Sequence, residues 1–181
     1  QKGFNISLPL GIEKLIHVEP GHLIVIAGRY DSGKTSFLFD TMQRNFSKYP
    51  IYYFATAEIT VESMVERMDA LMIPRPHDNI KAFPMNPGYE DSLPGGQSIS
   101  MVDYIRTNDS PRDIDVQFYR ILENLKGGIC LATIQKNIGV DKPTGGQFAM
   151  HAPHHVILLD RFKGEFICKI GKSKSSRDLE G

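Results

Sequence analysis

The chain has 181 residues, with 21 basic and 21 acidic side chains and a formal net charge of zero. That length suits one domain with a sizeable core, and the neutral balance excludes a polyanionic partner recruited by whole-molecule charge. Any phosphate or nucleic acid must be met by a local patch. Cys130 and Cys168 lie in apolar, strand-like runs, which predicts buried free thiols rather than a disulfide or a metal pair. No run approaches transmembrane length and no signal peptide is visible, so the expected setting is soluble and intracellular. The chain opens at Gln1 without an initiator Met, as a piece of a longer protein would.

Residues 1–20 read as a lead-in with a short turn and helix, ending in a turn at residues 17–21. The apolar, β-branched run 23–27 predicts a buried strand. Residues 28–35 follow it and match G-x-x-x-x-G-K-[ST] at every fixed position: Gly28, Gly33, Lys34 and Thr35. Between them lie Arg29, Tyr30, Asp31 and Ser32. Ser36 then opens a stretch to Phe46 with Phe37, Leu38, Met42 and Phe46 on one helical face. Strand, loop and helix are the context this motif needs. The glycines let successive N–H groups turn inward toward phosphate oxygens, and the helix N-terminus adds partial positive charge. Residues 28–36 are therefore the predicted phosphate site of a nucleotide, with Lys34 at the β/γ-phosphates and the Thr35 hydroxyl on Mg²⁺. Asp31 is a carboxylate beside a polyanion site and is expected to point to solvent.

Pro50 breaks the helix, and residues 51–56 predict a second buried strand ending near Glu58. Thr60 is the expected N-cap of a helix whose Val61, Met64, Val65, Met68, Leu71 and Met72 form an apolar, Met-rich stripe, read as core. Residues 74–97 are rich in Pro and Gly, and only residues 80–83 suggest a strand. Residues 98–102 predict the next strand, ending in Asp103. Ser110 and Pro111 open a helix with Ile114, Phe118, Ile121, Leu122 and Leu125 on one face, stopped by Gly127 and Gly128. Residues 129–134 predict a further strand, ending in Gln135. Residues 136–150 read as a mobile loop. Residues 156–159 and 165–170 resemble an antiparallel hairpin, and the end is polar and basic. Strands alternating with helices indicate one α/β domain over residues 1–181, a mainly parallel sheet flanked by helices, with antiparallel edge strands from the hairpin.

Glu58, Asp103 and Gln135 each follow a buried strand, as the phosphate loop does. Sheet topology brings such strand ends to one edge, where ligands bind in open α/β sheets. Asp103 fits the acid that holds the water shell of Mg²⁺, and Glu58 the general base for the water attacking the γ-phosphate. Gln135 is placed to hydrogen-bond the γ-phosphate or that water.

The order of these motifs resembles the RecA-like P-loop ATPases, most closely the ATPase domain of DnaB-type replicative helicases of bacteria and phages. Residues 23–35 resemble that family's phosphate loop, and residues 53–60 its strand ending in a catalytic Glu. Val102, Asp103 and Tyr104 resemble its Walker B signature. Residues 133–137 resemble its sensor strand ending in Gln and Asn, and residues 171–174 its late Lys-x-Arg element. The resemblance spans about residues 8–177. It implies a RecA-like fold, ATP and Mg²⁺ as cofactors, a homo-oligomeric ring, expected to be a hexamer, and single-stranded DNA in its channel. It further implies a primase or helicase loader as partner, a cytoplasmic setting, and Lys172 and Lys174 reaching a neighbour's γ-phosphate, Lys172 foremost and Arg177 in reserve. This chain departs from the family in three ways. Lys174 stands where an Arg is usual, the stretch from Glu58 to Asp103 is short, and the primase-interacting domain is absent.

In the family, loops matching residues 136–150 line the channel, so Lys136 and Lys142 are expected phosphate contacts, with Phe148 the one stacking aromatic. His151, His154 and His155 lack Cys or acidic partners at ligand spacing and read as solvent-facing or strand-start residues. The second functional class is a RecA/KaiC-like switch or assembly ATPase that unwinds nothing. A small-molecule kinase is the third, without an Arg-rich lid.

Overall fold

The computed structural model describes residues 3–56, 58–74, 78–106, 111–136 and 142–174. Seven strands form one sheet in the order β3-β2-β4-β5-β1-β6-β7. They are β1 (Leu23–Gly28), β2 (Ile51–Ala55), β3 (Ile80–Pro84), β4 (Ile99–Ile105), β5 (Ile129–Gln135), β6 (His155–Phe162) and β7 (Glu165–Ser173). All neighbouring pairs are parallel except β6 and β7, which form the antiparallel hairpin expected at the chain's end. The helices are α1 (Lys34–Asn45), α2 (Val61–Ala70), α3 (Pro111–Asn124) and the one-turn α4 (Phe148–His151).

β1 is fully buried because both its faces are covered. Ile24 and Ile26 point into one core with Phe37, Leu38 and Met42 of α1 and with Met68 of α2. Leu23, Val25 and Ala27 point into the other, with Ile114, Phe118 and Ile121 of α3. Alternation along one strand thus feeds two cores and makes three layers, helix, sheet and helix. The lead-in contributes Leu8, Ile12 and Ile16 to the first core, Ile12 from a 3₁₀ segment, Pro9–Lys14, and the other two from its flanks.

Four sequence readings change. The α2 stripe is mostly not core: Met68 is its one buried residue, Met64 and Leu71 pack partly, and Val61 and Met72 are exposed. Helical spacing marks a face, but here the first core is already filled by α1 and the lead-in. Asp103 lies inside β4 rather than after it, with the register against β5 shifting between Val102 and Ile105. The Pro- and Gly-rich segment carries more than the strand suggested at residues 80–83: that strand is present as β3, paired with β2, and a 3₁₀ turn, Tyr89–Ser92, buries Tyr89 and Glu90. In the stretch read as a mobile loop, residues 142–150 carry a turn and the start of α4. The readings at Asn137, Ser110 and Arg177 and the side chain of Phe148 lie outside the described residues.

Candidate functional site

β1 ends in the middle of the sheet, and the register lines up what surrounds its end. Gly28 lies opposite Gln135 of β5 and Leu159 of β6, and Ala55 of β2 lies opposite Asp103 of β4. The loop, Thr56, Glu58, Asp103 and Gln135 accordingly share one edge and line one pocket of about 410 Å³. The sequence-predicted residues from Tyr30 to Ser36 all line it too.

The loop's shape rests on two positions. A Cβ at Gly28 would meet Ser32 Oγ at 2.1 Å and the Leu159 carbonyl oxygen at 3.1 Å, so any side chain there would displace Ser32 and crowd the β6 backbone. Gly33 sits at φ +86° as the residue before α1, a left-handed conformation that suits glycine. Asp31 also has a positive φ and is exposed, as expected. Lys34 opens α1 and folds its amine over the loop, where Nζ donates to the carbonyl oxygens of Gly28 at 3.0 Å and Arg29 at 2.6 Å. Burial lowers the Lys34 ammonium from its ordinary value, and the Asp103 and Asp31 carboxylates oppose that shift.

Asp103 is 1% exposed and held at both oxygens. Tyr53 OH donates to Oδ2 at 2.8 Å, and the Thr133 hydroxyl donates to Oδ1 at 2.7 Å. Burial above all, and then Asp103, pushes the Tyr53 phenol up, so it stays a donor. Two neutral donors orient the carboxylate without neutralising it. Glu58 is different: it is exposed and forms an ion pair with Arg106. Gln135 is exposed at the end of β5.

Lys172 and Lys174 are not brought here. Lys172 pairs with Val156 near the start of β6, at the opposite end of the sheet from the loop. Its Nζ donates to the carbonyl oxygens of Met150 and His151, the latter at 2.9 Å, at the end of α4. Lys174 is exposed at that same end. Lys136 is buried against Asp160, with Nζ 2.7 Å from Oδ2, so it is no surface phosphate contact. Of the two readings for the histidines, His155 takes the strand-start one: it opens β6 and is fully buried.

Several site residues escaped the sequence reading. Tyr53 and Thr133 are polar side chains inside otherwise apolar strands, which was a usable signal. Arg67 of α2 also lines the pocket. Beside the loop, a second hollow is formed with Arg161 and Gly164, and Arg161 lies 5.4 Å over the Phe166 ring. No local signal marked the hairpin turn as part of a site.

The residues fit a nucleoside triphosphate with Mg²⁺. The buried hydroxyls of Ser32 and Thr56 line the pocket without a hydrogen-bond partner, and phosphate oxygens are acceptors for them. Among the described residues no cluster of three His, Cys, Asp or Glu side chains could hold a metal ion. A cation would therefore be held by the Thr35 hydroxyl, the phosphates and water ordered by Asp103. Among the described residues no helix is long and apolar enough to cross a membrane. No family model matches this chain, and no curated protein matches it in sequence.

Proposed function

We propose that this chain binds ATP with Mg²⁺ and hydrolyses it, as the RecA-like motor domain of a DnaB-type replicative helicase working as a ring on single-stranded DNA. The observation that carries the ATPase reading is the joint placement of Lys34, Thr35, Asp103, Glu58 and Gln135 around one pocket at the sheet's carboxyl edge. The loop amides and Lys34 bind and orient the β/γ-phosphates. Asp103, fixed by Tyr53 and Thr133, orders water on the cation. Mg²⁺, when bound, supplies charge neutralisation at the phosphate oxygens. Glu58 takes a proton from the attacking water, and Gln135 orients that water. Arg161 and Phe166 offer a planar cation and a ring beside the loop, suited to a base.

The second reading is a RecA/KaiC-like ATP-dependent switch that does not unwind DNA. The burial of Lys136 on Asp160 favours it, since this removes one of the two lysines expected to meet DNA and leaves Lys142. Two measurements test both. Lys34→Ala is expected to nearly abolish hydrolysis and weaken ATP; unchanged turnover would sink the ATPase reading. Stimulation of the wild-type rate by single-stranded DNA, with strand displacement, selects the helicase, and a rate indifferent to DNA selects the switch.

A further inference from the structure

A second concavity of about 400 Å³ lies beside the phosphate pocket and shares Thr56 with it. Its wall comes from residues 85–90 after β3, Arg106 after β4 and Gln117 on α3. Three of its polar side chains are more than nine-tenths buried: Thr56 and Tyr89 are each 7% exposed and Glu90 is 4% exposed. Each leaves an oxygen without a hydrogen-bond partner, namely Thr56 Oγ1, Tyr89 OH and Glu90 Oε2. Buried polar groups are nearly always satisfied, because an unmet one keeps its full desolvation cost. Tyr89 also packs in the second core, but three unmet oxygens on residues of one wall mark that wall as the lining of a site.

The lining also selects a chemistry. A buried carboxylate oxygen is best answered by a charged donor, and the hydroxyls of Tyr89 and Thr56 accept further N–H groups. Burial above all, and then Cys130 and Glu90, pushes the Tyr89 phenol up, so it stays neutral. Tyr89 is braced by Phe54, with ring centroids 5.8 Å apart, which gives the wall an aromatic side for a planar cation. A divalent metal would find a single carboxylate, too few oxygen anions. Arg106 at the rim is engaged by Glu58 and leaves the Glu90 oxygen unanswered. We propose that this concavity binds a guanidinium group, with Glu90 as its counter-ion and Tyr89 and Thr56 as acceptors. Thr56 is shared with the nucleotide pocket, so it is Glu90 and Tyr89 that make the assignment independent of that site.

Agmatine and the tripeptide Gly-Arg-Gly are suitable probes, followed by calorimetric titration of the whole chain. Wild-type protein is expected to bind agmatine saturably, and Glu90→Gln to weaken it by about tenfold or more, the scale of one charged hydrogen bond. Tyr89→Phe should weaken it less. Lys34→Ala should leave it unchanged, since Lys34 lies outside this wall. Glu90→Gln keeps the side chain's shape and removes a buried charge, so its melting temperature should hold or rise, which verifies the fold. Agmatine binding alone assigns a free small molecule; binding of the tripeptide as well assigns an arginine side chain of a partner. Saturable binding of neither probe, or equal affinity in Glu90→Gln, overturns the proposal.

Discussion

Glu58, which lines the pocket beside the loop, pairs with the Arg106 guanidinium, and that contact sets how its proposed chemistry is tested. Both side chains are about half exposed, so the pair adds at most about 1 kcal/mol to stability. Glu58→Gln should therefore leave folding intact. ATP binding should persist while turnover falls by roughly 10²-fold or more, the scale of a lost general base. Asp103→Asn differs physically. An amide N–H₂ would face one of the two hydroxyls that now donate to the carboxylate, and a buried mismatch of that kind costs about 1–3 kcal/mol. If Glu58→Gln lowers nucleotide affinity and Asp103→Asn lowers turnover alone, their roles are exchanged. Single-turnover kinetics with nucleotide titrations separates these outcomes.

At the scale of elements, the starts of β1 and β6 are joined by histidines. His22 Nδ1 lies 3.2 Å from His155 Nε2, and the His22 and His154 rings stack at 4.0 Å. Burial lowers all three to about 4, from an ordinary value of 6.5. Mutual repulsion and the positive charges of Lys172 and Lys174 add to this, while Glu19 opposes it at His22 and His154. A histidine depressed in the folded state binds its proton more readily when unfolded. Stability is therefore full above about pH 6.5 and falls as pH drops toward 4, by on the order of a few kcal/mol for the cluster. Urea midpoints between pH 8 and pH 4 should show this decline, and His155→Gln should flatten it. A midpoint that holds level from pH 7 to pH 4.5 would show that these rings stay solvated.

At the scale of the whole molecule, the two ends of the sheet divide the predicted cations. Lys34 serves the loop, while Lys172 and Lys174 stand at the far end, so any action of theirs on a γ-phosphate must cross to another copy. Lys172 is committed to the carbonyls of α4, which makes Lys174 the freer candidate. If one serves in trans, mixtures of Lys34→Ala chains with Lys172→Ala/Lys174→Ala chains should recover activity that neither has alone. Such fingers can be worth about 10³-fold in rate. Full activity of the double variant by itself would assign these lysines to structure. Lys136 already belongs there. Lys136→Ala would leave Asp160 without its partner beside the core and should destabilise by about 3 kcal/mol or more, read as a lower denaturation midpoint. Its effect on DNA affinity, if DNA binds, should be small.

What the sequence by itself determined is local. The apolar run of β1, the glycines of the loop and the amphipathic stretch of α1 are neighbours along the chain, so composition and spacing were enough to place them. The strands leading to Glu58 and Gln135 were legible too, because buried parallel strands announce themselves as apolar runs, whereas Asp103 lies inside β4 and not at its end. The tertiary structure alone decided which side chains meet. Asp103 finds Tyr53 and Thr133 at separations of 50 and 30 residues, Glu58 finds Arg106 at 48, and His22 finds His155 at 133. Such pairs depend on strand order and register, and a one-residue slip turns every side chain to the other face. Periodicity along the chain carries neither quantity. Nor could it tell that Val61 of α2, and Met72 just beyond the helix, would stay in solvent, since a face is buried only where another element leaves space to fill.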